Sequence, residues 1–241
     1  MIRSLLSSTP LRNFMLGSYL SARFFRWGSS KYLKTYSTLD ARYFRWLYLL
    51  EQTKELKGDV VELGVGPGRF LAYCSSWLEI NGTSKRYYGY DSFEGFPSVS
   101  EEDKVNLSSE RLKRVRPGNY AFSKSRIERL IKKLRLKNIV LTKGDFSNSL
   151  RKVRPDAISF LYMDCDLYEG YKIGLEMLYE YVVPGGVILF DEYELVNEWP
   201  GAKRAVDEFF HDKIEKPMEL PFSTSYFVVR GREAHMKAES R

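Results

Sequence analysis

A glycine-rich turn is the feature of this sequence whose residue types and spacing most clearly suggest chemistry. The turn reads Glu62-Leu63-Gly64-Val65-Gly66-Pro67-Gly68 and follows an apolar run at residues 59–61. Glycine has no Cβ, so the backbone can turn sharply there and a ligand can approach it closely. The glycines stand at alternate positions, instead of in the G-x-G-x-x-G spacing that places a helix N-terminus against pyrophosphate. This spacing favours a nucleoside ligand without phosphate, and S-adenosylmethionine is such a ligand.

An acidic residue on the next apolar run supplies the second half of a nucleoside site. Residues 86–90 are strand-like and lead to Asp91, and residues 70–80 supply the intervening helix. A carboxylate at this position can hold two ribose hydroxyls, and Asp145, after the third predicted strand, is expected at the adenine edge. For the glycine turn alone, a tight connection without a ligand is the alternative. The predicted cofactor-binding residues are Glu62, Gly64, Gly66, Gly68, Asp91, Ser92 and Asp145.

Acidic residues also follow the fourth and fifth predicted strands. Asp164, Asp191 and Glu192 offer the hard oxygen ligands that Mg²⁺ prefers, and we predict them as a metal site. Such a cation lowers the pKa of a sugar hydroxyl and fixes it in line with a sulfonium methyl group. Asp164 and Asp166 are the predicted catalytic residues, with Asp166 as the base that removes the hydroxyl proton. The alternatives are that Asp166 caps the helix predicted at 167–181, and that the acids form separate caps and salt bridges.

The elements that must position these residues alternate between strand and helix, which predicts a mostly parallel sheet. Helices are predicted at 38–56 and 201–210 and between the strands, and a closing antiparallel pair at 215–220 and 225–230. The expected fold is α/β, a Rossmann-like class I methyltransferase fold whose seven-stranded sheet has helices on both faces and an antiparallel last strand. The first five predicted strands are 60–63, 87–90, 139–142, 157–163 and 186–190.

Three parts of the chain fall outside this alternation. Residues 92–123 are too long, polar and rich in Pro and Gly for a routine connection, so we expect an ordered lid. Residues 1–39 form a basic, amphipathic N-terminal arm, and residues 233–241 a polar tail. The arm could lie on an anionic membrane surface, dock on a second subunit or cover the active site. Residues 40–232 are predicted as one methyltransferase domain.

Composition limits the class of protein further. The chain has 241 residues, of which 44% are hydrophobic, which is enough for one core, and it lacks the run of about 18 apolar residues that a spanning helix needs. Six of the seven net positive charges lie in residues 1–39, so a nucleic-acid partner is not expected. Cys74 and Cys165 offer neither a disulfide framework nor a zinc cluster, which fits a reducing cytoplasm.

Several separated motifs, in order, resemble the TylF/MycF macrocin O-methyltransferase family. The resemblance runs over residues 36–210 and implies Mg²⁺-dependent methylation of a sugar hydroxyl by S-adenosylmethionine. The acids after strands four and five would then hold the metal. The motifs are Gly58-Asp59-Val60-Val61-Glu62-Leu63-Gly64-Val65, Asp91-Ser92-Phe93-Glu94-Gly95-Phe96-Pro97, Met163-Asp164-Cys165-Asp166-Leu167-Tyr168-Glu169, Pro184-Gly185-Gly186, Phe190-Asp191-Glu192-Tyr193 and residues 201–209.

The leading hypothesis is therefore a cytoplasmic, metal-assisted O-methyltransferase acting on a saccharide-containing acceptor. A metal-independent small-molecule methyltransferase is the second hypothesis. A nicotinamide-dependent oxidoreductase and a noncatalytic nucleoside-binding or membrane-docking module are alternatives of other classes. The sequence leaves open whether the chain forms a homo-oligomer and whether the arm contacts a membrane.

Overall fold

One sheet of seven strands organises the computed structural model, which describes residues 41–221 and 223–231. The strands are β1 (Asp59–Leu63), β2 (Tyr87–Asp91), β3 (Ile139–Lys143), β4 (Ile158–Met163), β5 (Val182–Phe190), β6 (Met218–Glu219) and β7 (Tyr226–Val229). The helices are α1 (Ala41–Gln52), α2 (Arg69–Ile80), α3 (Ser109–Leu112), α4 (Lys124–Leu134), α5 (Phe146–Lys152), α6 (Tyr168–Leu178) and α7 (Pro200–Phe210), with 3₁₀ turns at Glu102–Lys104 and Tyr179–Tyr181.

The strand order β3-β2-β1-β4-β5-β7-β6 confirms the predicted fold class. Strands β1 to β5 are parallel, and β7 runs antiparallel to both β5 and β6. Leu63 pairs with Tyr90 on one side and with Met163 on the other, and Met163 pairs with Phe190. The carboxyl ends of four adjacent strands are therefore level, so the residues that follow them meet at one edge of the sheet.

Helices cover both faces of this sheet, because successive strand residues point to opposite sides. Val60 packs into a core with residues of α1, α2 and α4, whereas Val61 packs into a second core with residues of α5, α6 and α7. The central strands are buried on both sides and are mostly apolar, which is typical of parallel strands between helical layers; Glu62 in β1 and Ser159 in β4 are buried polar exceptions. The alternation thus decides which of the two cores each strand residue joins.

Several boundaries differ from those predicted. Strand β5 begins at Val182, because Val182 pairs with Ile158 of β4, and the Gly185 amide in the Pro-Gly-Gly segment donates a hydrogen bond to the Arg230 carbonyl. The helix predicted at 167–181 ends at Leu178 and continues as a 3₁₀ turn, and β6 has only two residues. The predicted lid contains the first 3₁₀ turn and α3.

Predictions for residues 1–39 and 233–241 lie outside the described residues, so the arm and the tail stay predictions. Within residues 41–221 and 223–231, no helix combines the length and the apolarity needed to cross a membrane.

Candidate active site

The glycine turn connects β1 to α2 at the level edge of the sheet. Gly64, Gly66 and Gly68 all have positive φ values, of 90°, 51° and 78°. A Cβ on Gly64 would lie 1.8 Å from the carbonyl oxygen of Asp164, so this position admits only glycine. The turn therefore packs directly against the backbone that follows β4. The predicted cofactor-binding turn is thus in contact with the segment that carries Asp164, a predicted metal ligand.

Asp91 lies at the end of β2 and ties this turn to the start of the lid. Its Oδ2 accepts a hydrogen bond of 2.8 Å from the Gly66 amide, and its Oδ1 accepts one of 2.6 Å from the Phe93 amide. Burial raises the pKa of Asp91, whereas the two amide hydrogen bonds act in the opposite direction. Ser92 donates to the Gly95 carbonyl oxygen at 2.7 Å, so its hydroxyl shapes the lid turn.

Glu62 is buried beside the same turn, with 1% of its surface exposed. Its Oε2 has no hydrogen-bond partner among the described residues, and the residue lines the cavity of the site. Burial raises the pKa of its carboxyl well above the usual range, and Asp164 and Asp91 raise it further. An unpartnered buried carboxyl at a cavity wall is costly unless a ligand supplies a donor or a positive charge.

Three carboxylates meet where β4 and β5 end. Asp164, Asp166 and Glu192 each place an oxygen within 4.8 Å of the others. The Tyr162 hydroxyl donates to Asp164 Oδ2 at 3.1 Å, and the Tyr171 hydroxyl bonds Glu192 Oε2. Burial, followed by mutual repulsion, raises the pKa of both Asp166 and Glu192 well above the usual range. A divalent cation among these oxygens would offset that repulsion.

Asp191, predicted as a metal ligand together with Asp164 and Glu192, lies outside this group of three. Its Oδ1 accepts a hydrogen bond of 3.2 Å from the Ser225 hydroxyl, next to β7. It is close enough to raise the pKa of Glu192, so it contributes negative charge to the same region. The structure thus brings Asp164 and Glu192 together and adds Asp166 in place of Asp191.

The alternative that Asp166 caps α6 is wrong. The N-cap residue is Leu167, and the Tyr168 amide donates instead to Asp103 Oδ1 in the lid, at 2.7 Å. Asp166 has a φ of 62°, a left-handed conformation that is strained for a residue with a side chain. Because the lid supplies the helix cap, the Asp166 carboxylate is available to the cluster at the cavity wall.

Asp145 lines the cavity but its carboxylate caps α5. It accepts hydrogen bonds from the Asn148 amide and from the side chains of Ser147 and Asn148. The side-chain hydrogen bonds lower the pKa of Asp145. The contact of Asp145 with adenine therefore stays a prediction, because this carboxylate already has partners in the loop.

The predicted site residues line one cavity of about 620 Å³, a size that suits a small-molecule ligand, with the exception of Gly68. Gly68 instead faces Ile127 and Leu130 of α4, so its predicted contact with the cofactor is not supported. Sequence reasoning missed a group of lining residues from the lid and from the start of α7: Phe96, Arg111, Tyr120 and Trp199. The only sequence signal for them was the unusual length of the lid. They are separated along the chain and follow no helical or strand periodicity, so their meeting depends on how the lid folds back.

A Rossmann-like sheet with this strand order, a glycine turn after β1 and an acid at the end of β2 define the class I methyltransferases. The sequence profile of the TylF macrocin-O-methyltransferase family matches residues 49–227. The chain belongs to this family, which confirms the resemblance seen in its motifs.

Two curated relatives match a central part of the chain. A demethyldecarbamoylnovobiocin O-methyltransferase of Streptomyces niveus is 31% identical over 155 residues, which are 63% of this chain and 58% of that protein. An 8-demethyl-8-(2,3-dimethoxy-alpha-L-rhamnosyl)-tetracenomycin-C 4'-O-methyltransferase of Streptomyces olivaceus is 28% identical over 141 residues, 57% of this chain and 54% of that protein. The matched region thus spans less than two thirds of either relative.

Solved structures share the fold over most of the chain. CalS11, a calicheamicin methyltransferase, has a TM-score of 0.66 at 20% identity, over 91% of this chain and 93% of that one. The O-methyltransferase NovP has a TM-score of 0.65 at 25% identity, over 78% of this chain and 80% of that one. At 20% identity, the similarity to CalS11 supports the fold alone.

Proposed function

We propose that this protein is an S-adenosylmethionine-dependent, Mg²⁺-assisted O-methyltransferase that acts on a sugar hydroxyl. The observation that carries the proposal is that one cavity joins the glycine turn and Asp91 to the carboxylates of Asp164, Asp166 and Glu192. Membership of a family of O-methyltransferases supports the reaction type. The tetracenomycin relative, whose name includes a rhamnosyl group, supports a saccharide acceptor.

The cofactor would occupy the part of the cavity at the ends of β1 and β2. Asp91 would accept hydrogen bonds from the ribose hydroxyls, while Gly64 and Gly66 allow the ligand to approach the backbone. Glu62 and its acidic neighbours favour a positively charged ligand, and S-adenosylmethionine carries a sulfonium and an ammonium group. A nicotinamide dinucleotide would instead bring a pyrophosphate next to several carboxylates, which repel it.

Asp164, Asp166 and Glu192 fit a hard divalent cation, because each offers one carboxylate oxygen and these oxygens lie within 4.8 Å of one another. When bound, Mg²⁺ would lower the pKa of an acceptor hydroxyl and fix its orientation. We retain Asp191 as a neighbouring charge, and its role as a direct ligand stays a prediction.

The chain's own residues would then position the transfer and accept the proton. When bound, S-adenosylmethionine would supply its methyl group to the acceptor oxygen, with cleavage of the bond from that carbon to sulfur and S-adenosylhomocysteine as the leaving product. Asp166 would accept the hydroxyl proton, because its carboxylate lines the cavity and takes no part in capping α6. The Tyr162 and Tyr171 hydroxyls would keep Asp164 and Glu192 oriented through the hydrogen bonds described above.

Replacing Asp91 with Asn tests the cofactor half of the site. The substitution removes the negative charge and one of the acceptor sites that ribose hydroxyls need, so we expect the Kd for S-adenosylhomocysteine to rise about 10- to 100-fold. Isothermal titration calorimetry measures this change, with NAD as a comparison ligand that should not bind. Tighter binding of NAD than of S-adenosylhomocysteine would favour the oxidoreductase hypothesis.

Metal removal tests the part of the site formed by the carboxylate cluster, where the acceptor would bind. In an assay of methyl transfer from labelled S-adenosylmethionine to saccharide extracts, we expect EDTA to abolish turnover and excess Mg²⁺ to restore it. S-adenosylhomocysteine binding should survive EDTA, because the glycine turn and Asp91 do not depend on the carboxylate cluster. Turnover that persists at full rate in EDTA would contradict a requirement for Mg²⁺ and favour the hypothesis of a metal-independent methyltransferase.

We also propose a cytoplasmic location, which is supported by Cys74 and Cys165 both being free thiols. Membrane contact through the arm and homo-oligomer formation stay predictions, since residues 1–39 lie outside the described part of the chain.

A further inference from the structure

One buried aspartate fastens the lid to the start of α6. Asp103 lies in the first 3₁₀ turn of the lid and keeps only 2% of its surface exposed. Its Oδ1 accepts the hydrogen bond of 2.7 Å from the Tyr168 amide. Its Oδ2 accepts hydrogen bonds from the Ser100 amide at 3.0 Å and from the Ser100 hydroxyl at 2.8 Å. Because each oxygen has a donor, the cost of burying this carboxylate is offset, and the N-terminus of α6 is tied to the backbone of the lid.

The start of α7 leaves the space that this carboxylate occupies. Gly201 is the second residue of α7, and a Cβ there would lie 2.0 Å from Asp103 Oδ1 and 2.8 Å from Tyr168 Cβ. A side chain at position 201 would therefore displace the Asp103 carboxylate from the Tyr168 amide. Glycine at this position admits the lid residue between α6 and α7.

A second lid residue, Arg111, contacts the segment directly before α7. Its guanidinium carbon lies 4.1 Å from the centroid of the Trp199 ring, and its Nη2 lies 3.3 Å from Glu198 Oε2. Arg111 also lines the cavity. Burial and neighbouring acids raise the pKa of Asp166, and the positive charge of Arg111 acts in the opposite direction. The lid therefore acts on Asp166 through a charge as well as through the start of α6.

Asp103 and Asp166 are competing acceptors for one donor. An aspartate side chain commonly accepts a hydrogen bond from the amide two residues later, and for Asp166 that amide belongs to Tyr168. Asp103 already takes this amide, and Asp166 instead has a φ of 62° and lies in the group of three carboxylates. Its left-handed conformation is costly and persists only while the surrounding contacts hold it. Without the lid carboxylate, the Tyr168 amide would draw the Asp166 carboxylate to the N-terminus of α6, where the helix dipole favours negative charge.

We infer that Asp103 is a positioning residue for the transfer: by holding the Tyr168 amide, it keeps the Asp166 carboxylate in the group with Asp164 and Glu192. Docking of the lid and completion of this group then depend on one side chain. The inference rests on the proposed function, in which Asp166 accepts the hydroxyl proton. Asp103 is not among the residues that line the cavity, so it acts through Asp166 and not through a contact with the cofactor or the acceptor.

Variants at position 103 test this with the full chain, labelled S-adenosylmethionine, Mg²⁺ and the saccharide fraction that the wild type methylates. Asp103→Ala should lower the single-turnover rate about 10- to 100-fold and leave the Kd for S-adenosylhomocysteine unchanged, because the base is drawn away from the cavity. Asp103→Asn keeps an oxygen for the Tyr168 amide and should recover most of the rate. Glu101→Ala, at an exposed acid of the same lid, should have no effect. A wild-type rate in Asp103→Ala would overturn the inference and leave the proposed function standing.

A double-mutant cycle with Asp166 separates positioning from a general loss of stability. Once Asp166→Ala has removed the carboxylate, Asp103 has nothing left to hold in place. Adding Asp103→Ala to that variant should therefore change the residual single-turnover rate less than about twofold. A further loss as large as the loss in the wild-type background would show that Asp103 acts through the stability of the lid, and it would overturn the inference.

Alkylation of the two cysteines gives a readout that requires no turnover. Cys165 lines the cavity directly before Asp166, and Cys74 is buried in α2. Asp103→Ala should raise the rate of Cys165 alkylation by N-ethylmaleimide about tenfold and leave Cys74 unchanged, because the lid is no longer anchored to the segment after β4. An unchanged rate at Cys165, or an equal rise at Cys74, would also overturn the inference. If the wild type binds S-adenosylhomocysteine but methylates no saccharide fraction, the proposed function fails and the inference fails with it.

Discussion

Replacing Asp164 with Asn should lower the rate of methyl transfer about 10³-fold, equivalent to roughly 4 kcal/mol of transition-state stabilisation. Its carboxylate accepts a hydrogen bond from Tyr162 and lies in the group with Asp166 and Glu192. Asn keeps the shape of the side chain but removes the negative charge from the set of oxygen ligands. Single-turnover kinetics with a saturating acceptor would measure the loss in the transfer step itself.

The cofactor provides an internal control for this variant. S-adenosylhomocysteine lacks the sulfonium charge, so its affinity should change less than about tenfold in Asp164→Asn. Asp156→Asn, a matched change at an exposed acid shortly before β4, should leave both rate and affinity at the wild-type level. A wild-type rate in Asp164→Asn would exclude the carboxylate cluster from the reaction.

Gly64→Ala should cost about 3–5 kcal/mol of folding stability and abolish detectable cofactor binding. The added Cβ would lie 1.8 Å from the Asp164 carbonyl oxygen, and the φ of 90° is itself unfavourable for alanine. Relief of this clash must move the turn after β1 away from the segment after β4. The cofactor would bind at the first of these segments, and the second carries Asp164 of the carboxylate cluster. Urea denaturation and calorimetry would measure the two effects.

Gly82→Ala is the matched control, because Gly82 also has a positive φ, of 62°, but a Cβ there would meet no atom within 4 Å. We expect it to cost only about 1 kcal/mol and to leave cofactor affinity unchanged. Equal losses in the two variants would show that backbone conformation, and not the contact with Asp164, is what Gly64 supplies.

The edge of the sheet that carries the site could be predicted because each strand leaves a clear pattern. Apolar runs of strand length are followed directly by glycine or acid at Gly64, Asp91, Asp164 and Asp191. Parallel strands in register must bring those positions to one edge, and the observed pairing of Leu63, Met163 and Phe190 does so. The pattern of residues therefore predicted the fold class and the edge of the sheet that carries the candidate site.

The direction of individual side chains could not be predicted in the same way. Asp191 and Glu192 are neighbours in sequence, and Ser225 engages Asp191 from a segment more than thirty residues away. The sequence makes Asp166 a candidate helix cap, but the Tyr168 amide donates instead to Asp103, which lies 65 residues before Tyr168. Both outcomes depend on contacts between distant segments that no local pattern encodes.

The aromatic residues that line the cavity escaped prediction for the same reason. Phe96, Tyr120 and Trp199 meet only when the lid packs against the start of α7, and their spacing in the sequence follows no period. A long polar segment signalled that a lid exists, but the cavity wall that it builds depends on its tertiary contacts.

The most direct test of the central claim follows an isotope-labelled methyl group from S-adenosylmethionine into a saccharide acceptor, with the full chain and Mg²⁺. NMR of the purified product identifies the atom that carries the label. We expect one labelled methyl ether on a sugar oxygen, formed in equal amount to S-adenosylhomocysteine and absent when EDTA is present. A label on any atom other than a sugar oxygen, or S-adenosylhomocysteine formed without labelled saccharide, would contradict metal-assisted sugar O-methylation.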